Sequence, residues 1–100
     1  MRESKIESYM LKQAKKYNCL FCKFISPANN GVPDRIILHP SFTKPTFIEL
    51  KRPGEKPRPL QKAVHAKMKK YGADIYIIDS MENVDTFFQQ KFGQKRSDTP

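Results

Sequence analysis

A helical stretch lies between two short strand-like runs in the second half of the chain, and this arrangement most restricts the available folds. Residues 46–51 and 74–79 are short and rich in β-branched and aromatic side chains, which is typical of strands. Between them, apolar residues recur at the spacing of one helical face, bounded by Pro59 at the start and Gly72 at the end. A strand–helix–strand connection is a crossover, right-handed if the strands are parallel. The pattern therefore predicts a mixed sheet with helices packed on its faces.

The first half of the chain extends this pattern. Apolar residues at helical spacing predict a helix over residues 4–17, with Ser4 and Glu7 as a capping box. Short apolar runs predict strands over residues 19–25 and 34–39. The two runs are separated by a segment rich in Pro, Asn and Gly, which is typical of a loop.

The remaining elements complete an α/β fold of order α-β-β-β-α-β-α. The strands at 34–39 and 46–51 are expected to form a hairpin, because only a short turn joins them. Ser80 is suited to cap a last helix. We predict one domain over residues 1–92 and a frayed polar tail over 93–100. The apolar face of the last helix consists of Val84, Phe87, Phe88 and Phe92.

The net charge is strongly positive and unevenly distributed. The 100 residues contain 19 Lys and Arg against 10 Asp and Glu, a formal charge of +9. Residues 1–72 carry 16 basic and 5 acidic side chains, whereas residues 73–100 carry 3 and 5. This field favours a polyanionic partner, either nucleic acid or an anionic membrane surface. Nucleic acid is the stronger hypothesis, because no basic amphipathic stretch of suitable length supports membrane binding.

No targeting or membrane-spanning segment is apparent. No apolar run approaches the ~18 residues that a membrane span needs, and no apolar signal-peptide core follows the N-terminus. We therefore expect a cytoplasmic protein with reduced cysteines and no membrane partner.

An acid-x-Lys triplet ends the third predicted strand. Side chains alternate across a strand, so Glu49 and Lys51 point to one face while Ile48 and Leu50 point into the core. Asp34 opens the neighbouring strand directly after a proline that stiffens its backbone. If these strands pair as a hairpin, the two carboxylates and the lysine converge.

Two converging carboxylates repel each other unless a cation lies between them. A hard divalent ion with oxygen ligands, Mg²⁺ or Mn²⁺, fits that need and can activate water against a phosphodiester. Lys51 adds positive charge for the transition state. The alternative is that Asp34 and Glu49 are strand-end residues paired with Arg35 or Lys51, since the acid-x-Lys triplet also occurs at Glu3-Ser-Lys5.

The combination of motifs resembles the VRR-NUC (virus-type replication–repair nuclease) family, a branch of the PD-(D/E)xK nuclease superfamily. The resemblance rests on Gly31-Val-Pro-Asp34, Phe47-Ile-Glu-Leu-Lys51, Gln61 and Gly72, and it runs from about residue 7 to residue 79. It implies a restriction-endonuclease-like fold. Minimal members of the family resemble small phage enzymes that form dimers and cut branched DNA.

The resemblance also implies roles for individual residues. Asp34 and Glu49 would ligate the metal together with the Leu50 backbone carbonyl, while Lys51 would act in catalysis. Gln61 would support the site from the start of its helix. The family has a further glutamate on its first helix, which Glu7 matches best and Glu3 alternatively.

The basic residues and the histidines leave further alternatives open. Arg58 departs from the family, which often has Ser at this position to cap the second helix. The cluster of Lys67, Lys69 and Lys70 is either a solvated helix end or a contact to the DNA backbone, and His65, on the helix surface, would also be placed to touch DNA. The candidate phosphate contacts on the loop after the third strand and on the helix are Arg52, Lys56, Arg58 and Lys62.

A Cys-x-x-Cys motif raises zinc or redox chemistry as a minor alternative. Cys19 and Cys22 lie three apart in a predicted strand and so point to opposite faces. Only His39 and His65 could complete a four-ligand site. We expect buried core thiols instead.

These observations predict a divalent-metal endonuclease that hydrolyses DNA, selects branched junctions or flaps, and acts as a homodimer without an organic cofactor. The alternative is a basic DNA-binding module that keeps the fold but not the catalysis. The presence of Asp34, Glu49 and Lys51 together favours the enzyme.

Overall fold

The computed structural model describes residues 2–93. Within them no helix is both long enough and apolar enough to cross a membrane. The elements are, in chain order, α1 (Glu3–Lys16), β1 (Leu20–Lys23), β2 (Arg35–Leu38), β3 (Thr46–Leu50), α2 (Pro59–Lys70), β4 (Asp74–Ile78), α3 (Met81–Phe88) and a π-helical turn (Gln89–Gly93).

The four strands form one mixed sheet in the order β1-β2-β3-β4. β1 pairs antiparallel with β2, and β2 pairs antiparallel with β3 in the predicted hairpin. β3 and β4 are parallel, because α2 carries the chain back between them. The order of elements and the mixed α/β architecture predicted from the sequence are both confirmed.

One face of the sheet carries the hydrophobic core. Ile48 and Leu50 point into it from β3 as predicted, and α1 and α3 pack against it and against each other. A hydrogen bond of 2.7 Å from the Tyr9 hydroxyl to the Asp85 carboxylate also joins these two helices. The buried residues of this core are Ile6, Met10, Ala14, Ile37, Ile48, Leu50, Ile78, Val84, Phe87 and Phe88.

The opposite face of β3 meets α2. Glu49 and Lys51 alternate with the core residues, so they point away from α1 and toward the first turns of α2. The sheet therefore lies between two helical layers, with an apolar side and a side that buries polar groups.

The start of α1 differs from the prediction. The helix begins at Glu3 with Arg2 in the N-cap position, and no side chain caps it, so the Ser4–Glu7 capping box is wrong. The Glu7 carboxylate is instead held by Arg35 of β2. A charged partner on the sheet competes successfully for a carboxylate that would otherwise bond its own helix end.

The first strand is shorter than predicted, and one of its thiols is exposed. β1 pairs only over the four residues of β2, and as the sheet edge it leaves Cys22 open to solvent. The prediction of two buried thiols is therefore wrong for Cys22. Cys19 lies before the strand and is half-buried, and burial raises the pKa of its thiol to about 11.

Residues 2–93 contain no group of three His, Cys, Asp or Glu side chains placed to hold a metal.

The last helix begins as predicted. The Ser80 hydroxyl accepts a hydrogen bond from the Asn83 backbone N–H at 3.0 Å, which caps α3. Gly93, which the sequence-based prediction places in the tail, ends the π-helical turn, and the other tail residues, 94–100, lie outside the described part of the chain.

Candidate active site

The hairpin brings Asp34 to the end of β3. Arg35 lies opposite Ile48 in the antiparallel register, so the residue before it reaches the level of Glu49. The Leu50 backbone N–H donates a hydrogen bond of 3.3 Å to Asp34 Oδ1. Pro33 is fully buried, which holds the backbone at the entrance to the strand. The predicted convergence of the two carboxylates is thus a consequence of strand register.

Gln61 connects the two charged groups of β3. Its amide Nε2 donates to Glu49 Oε2 at 3.1 Å, and its Oε1 accepts from Lys51 Nζ at 2.9 Å. The same Oε1 accepts from the Arg58 backbone N–H at 2.9 Å, which caps the start of α2 from within the helix. α2 therefore begins at Pro59 although Arg58 offers no capping side chain, because Gln61 supplies the acceptor.

All three members of this network are buried. Glu49, Lys51 and Gln61 are exposed to 4%, 6% and 7%. Lys51 Nζ lies 3.5 Å from Glu49 Oε2, so the ammonium partly neutralises the carboxylate. Burying charged groups is costly unless they are paired and hydrogen-bonded, as these are. A buried cluster of charged and polar groups is therefore a candidate functional site.

The carboxylates favour their protonated forms more than usual. Burial, and then the negative charge of Asp34, raise the pKa of Glu49 to about 6, although the neighbouring Lys51 opposes this. Burial also raises the pKa of Asp34, against the opposing hydrogen bond from Leu50. Both acids resist ionisation, and a positive charge bound at this end of the sheet would favour their ionised forms.

The residues fit a hard divalent ion. Glu49 Oε1 is buried and has no hydrogen-bond partner in the described part of the chain. The Asp34 carboxylate accepts from the Leu50 backbone N–H, and Arg35 Nη1 lies 3.7 Å from its second oxygen. Free lone pairs on two carboxylates, next to a strand-end carbonyl, are the oxygen donors that Mg²⁺ and Mn²⁺ prefer.

The fold and the sequence of this chain are similar to those of known proteins. A solved structure described as "VRR_NUC domain" superposes with a TM-score of 0.80 over 90% of this chain and 97% of its own, at 24% sequence identity, and shows the same fold. The curated "Putative nuclease p44" of Acyrthosiphon pisum secondary endosymbiont phage 1 is 38% identical over 82 residues, which are 82% of this chain and 87% of that protein. No family model matches the sequence.

The chain belongs to the VRR-NUC family of nucleases. Nucleic acid is therefore its class of substrate. The strongly basic composition agrees with such a partner.

Among the described residues, Arg35 links Glu7 to Asp34. Arg35 Nη2 and Nε donate to Glu7 Oε2 at 2.7 and 3.1 Å, and Nη1 donates to the Asp34 backbone carbonyl at 3.0 Å. Arg35 pairs with Ile48 across the strands and therefore lies on the core face, opposite to Glu49. Glu7 is thus near Asp34 but on the other side of the sheet from Glu49, and Glu3 lies at the first residue of α1.

His65 is not on the surface, contrary to the sequence-based prediction. Its side chain is exposed to 7%, and Nε2 lies 4.0 Å from Glu49 Oε1. Burial, followed by the charges of Lys69 and Lys51, lowers the pKa of this imidazole. The α2 face that presents Gln61 continues one turn later in His65, so the helix places both against Glu49.

The candidate phosphate contacts follow β3 in the chain. They belong to the β3–α2 loop and the first turn of α2, immediately after Lys51, and the side chain of Arg52 lies 3.8 Å from Glu55. Lys67, Lys69 and Lys70 are exposed at the other end of α2. The predicted contacts that are exposed to solvent are Arg52, Lys56, Arg58 and Lys62.

Sequence reasoning names Arg35 only as a possible partner of Asp34 or Glu49, and it misplaces His65. Arg35 does lie 3.7 Å from the Asp34 carboxylate, but its burial and its bond to Glu7 were not predicted, because a basic residue in a strand is ordinarily solvent-exposed. His65 follows Gln61 by four residues, a spacing that by itself is equally compatible with a DNA contact. In both cases burial decides the role, and burial depends on the packing of α1 and α2.

Proposed function

We propose that this chain is a Mg²⁺- or Mn²⁺-dependent endonuclease that hydrolyses phosphodiester bonds of DNA. The observation that carries the proposal is the buried network of Glu49, Lys51 and Gln61 beside Asp34. A structural role does not require a carboxylate, an ammonium and an amide to share one buried cluster at a strand end, where apolar residues would be as stable or more so.

The metal would be held by oxygen atoms of two strands. Asp34 and Glu49 supply carboxylates, and the Leu50 backbone supplies a carbonyl, as the family resemblance implies. When bound, the ion lowers the pKa of a water and stabilises charge on the phosphate.

The side chains of this chain supply positioning and charge. In hydrolysis, the water gives up a proton to solvent as its oxygen bonds to phosphorus, the bond from phosphorus to the leaving ester oxygen breaks, and that oxygen takes up a proton from solvent. The Lys51 ammonium is suited to stabilise the extra negative charge of the pentavalent transition state. Gln61 keeps this ammonium and Glu49 in fixed positions, because it bonds both and is itself anchored to the Arg58 backbone. Glu7 is proposed to contribute through Arg35, which contacts Asp34.

We further propose that the enzyme selects DNA by shape and acts as a homodimer. The exposed basic residues near the site suit phosphates, and phosphate contacts position a protein without specifying sequence. Branched or flexible DNA costs least to deform into a site of this kind. A two-fold dimer would present two such sites at a fixed separation.

The test is cleavage of supercoiled plasmid with Mg²⁺, Mn²⁺ or EDTA. We expect cleavage with either metal and none in EDTA. Asp34→Asn, Glu49→Gln and Lys51→Met should each lower the rate by about 100-fold or more, because each removes a group that acts at the reacting phosphate. DNA binding in EDTA should persist in all three variants.

Glu82→Gln is the matched control for Glu49→Gln, since it makes the same chemical change on an exposed residue of α3. It should cleave at the wild-type rate. Undiminished cleavage in EDTA would contradict the metal mechanism. DNA binding without cleavage by the wild-type protein, in any metal, would favour the non-catalytic binding module.

A further inference from the structure

His65 and Glu49 present two buried polar atoms to each other. His65 Nε2 and Glu49 Oε1 lie 4.0 Å apart, too far for a direct hydrogen bond. Each is buried and lacks a hydrogen-bond partner among residues 2–93. Buried polar atoms are almost always hydrogen-bonded in native proteins, so the pair requires an explanation that neither residue supplies alone.

The Gly31 backbone is a further neighbour of the imidazole, and it opposes the lowering of the His65 pKa, whose largest cause is burial. Nε2 has no hydrogen-bond partner among the described residues, so a proton held toward Gly31 would be on Nδ1 and would leave a lone pair at Nε2. In that tautomer Nε2 and the carboxylate oxygen are both acceptors, so they cannot satisfy each other directly.

Gly31 can approach α2 closely because it has no side chain. Its φ is +90°, and a Cβ at this position would lie 3.0 Å from Val64 Cγ2 and 3.1 Å from the Leu60 carbonyl oxygen. The glycine therefore lets the loop before Asp34 pack directly on the turn of α2 that carries His65. The loop before Asp34 and α2 are therefore in direct contact at Gly31.

We propose that His65 is a positioning residue that orients Glu49 through one bridging water. A water about 2.8 Å from both atoms would subtend an angle of roughly 90° across the 4.0 Å gap, which suits a molecule donating both of its protons. Glu49 would then be held at both oxygens, with Gln61 and Lys51 at Oε2 and the water at Oε1. Oε1, which accepts only the water in this arrangement, keeps a second lone pair for the metal.

This inference rests on the proposed metal centre and makes a claim about its affinity. Groups that orient a metal ligand commonly change metal affinity by about 10- to 100-fold when they are removed. His65→Leu should therefore weaken Mn²⁺ binding by about that factor, as measured by titration calorimetry or by the electron paramagnetic resonance signal of free Mn²⁺. His65→Gln, whose amide can bond to Glu49 or to the water, should retain most of the affinity.

His39→Leu is the matched control, because His39 bonds Ser41 and packs on Phe42 and Phe92, away from the network. It should bind Mn²⁺ like the wild type. Equal Mn²⁺ affinity in His65→Leu and the wild type would overturn the proposal, as would a decrease in His65→Gln as large as that in His65→Leu. If the wild type itself binds no Mn²⁺, the proposed metal centre fails instead.

A measurement on the wild-type protein tests the proposal even if a variant does not fold. Nitrogen-15 NMR of the histidine ring distinguishes the two neutral tautomers. We expect His65 to carry its proton on Nδ1 with Nε2 accepting a hydrogen bond. A proton on Nε2 of the neutral ring would overturn the proposal without any substitution.

Discussion

Arg35 shows how one side chain links two carboxylates that the sequence separates widely. Its guanidinium bonds Glu7 at 2.7 Å and lies 3.7 Å from the Asp34 carboxylate. Its side chain is exposed to only 11%, so the charge must be paired to remain buried. Glu7 therefore neutralises the guanidinium that also lies beside Asp34.

We predict that Glu7 and Arg35 are energetically coupled. In a double-mutant cycle with Glu7→Ala and Arg35→Ala, the coupling free energy should be about 1–3 kcal/mol by urea unfolding, because the two substitutions remove the same charge-assisted hydrogen bond. Cleavage should fall with either change. Glu3→Ala is the control from the same helix, and a larger fall in cleavage in that variant would make Glu3 the acid of the first helix.

The loop before Asp34 contacts α2 beside the turn that carries Gln61. α2 carries both Gln61 and His65, and it contacts the loop at Gly31, where Leu60 and Val64 leave no space for a side chain. A side chain added at Gly31 would push α2 away from the loop, and Gln61 and His65 would move with the helix because it moves as a rigid body.

We predict that Gly31→Ala is more harmful than Gly54→Ala. Both glycines have positive φ, +90° and +81°, so both substitutions strain the backbone by about 1–2 kcal/mol. Only Gly31→Ala adds overpacking against α2, which costs about 1–3 kcal/mol more. Urea unfolding and plasmid cleavage measure both effects. Equal stability and activity in the two variants would show that the loop does not position α2.

Exposed positive charge is spread over several elements of the described chain. Arg52, Lys56 and Arg58 lie on the loop that follows Lys51, and Lys62 lies in the first turn of α2, whereas further exposed lysines lie on α1 and at the C-terminal end of α2. A polyanion that contacts the β3–α2 loop would lie next to Lys51, so the proposed phosphate contacts and the proposed metal ligands are adjacent in the chain but are different residues.

We predict that the β3–α2 loop determines the salt dependence of DNA binding. Removing one phosphate-binding side chain should flatten the slope of log affinity against log salt by about one unit. Arg52→Ala with Arg58→Ala should therefore flatten it by up to about two units in EDTA, and by less if Glu55 already neutralises Arg52. Lys12→Ala with Lys15→Ala removes the same charge from α1 and should change the slope less. The same slope in both double variants would place the DNA elsewhere.

We also predict that the protein cleaves four-way junctions and flaps well above linear duplex, with little dependence on sequence. Phosphate contacts do not specify bases, so DNA shape must supply the selectivity. Equal-length substrates at one salt concentration measure the preference. Equal rates on junction and linear duplex, or cutting at one sequence in every substrate, would contradict it.

The order of elements and the β3 face follow from local rules. Period-two alternation determined that Glu49 and Lys51 share a face, and the short hairpin determined that Asp34 lies beside them. The helix between β3 and β4 required a crossover, which the structure realises as a parallel pair. These inferences succeeded because each depends on residues close together in the chain.

The partners of Glu7 and the place of His65 were decided only by tertiary structure. Ser4 and Glu7 satisfy the sequence rule for a capping box, but Arg35, 28 residues away, forms the stronger bond once α1 packs on the sheet. His65 is polar and near lysines, yet α2 turns it inward against Glu49. Local patterns specify which side chains share a face, whereas charge pairing and burial between distant segments depend on how the layers pack together, and no local pattern encodes that.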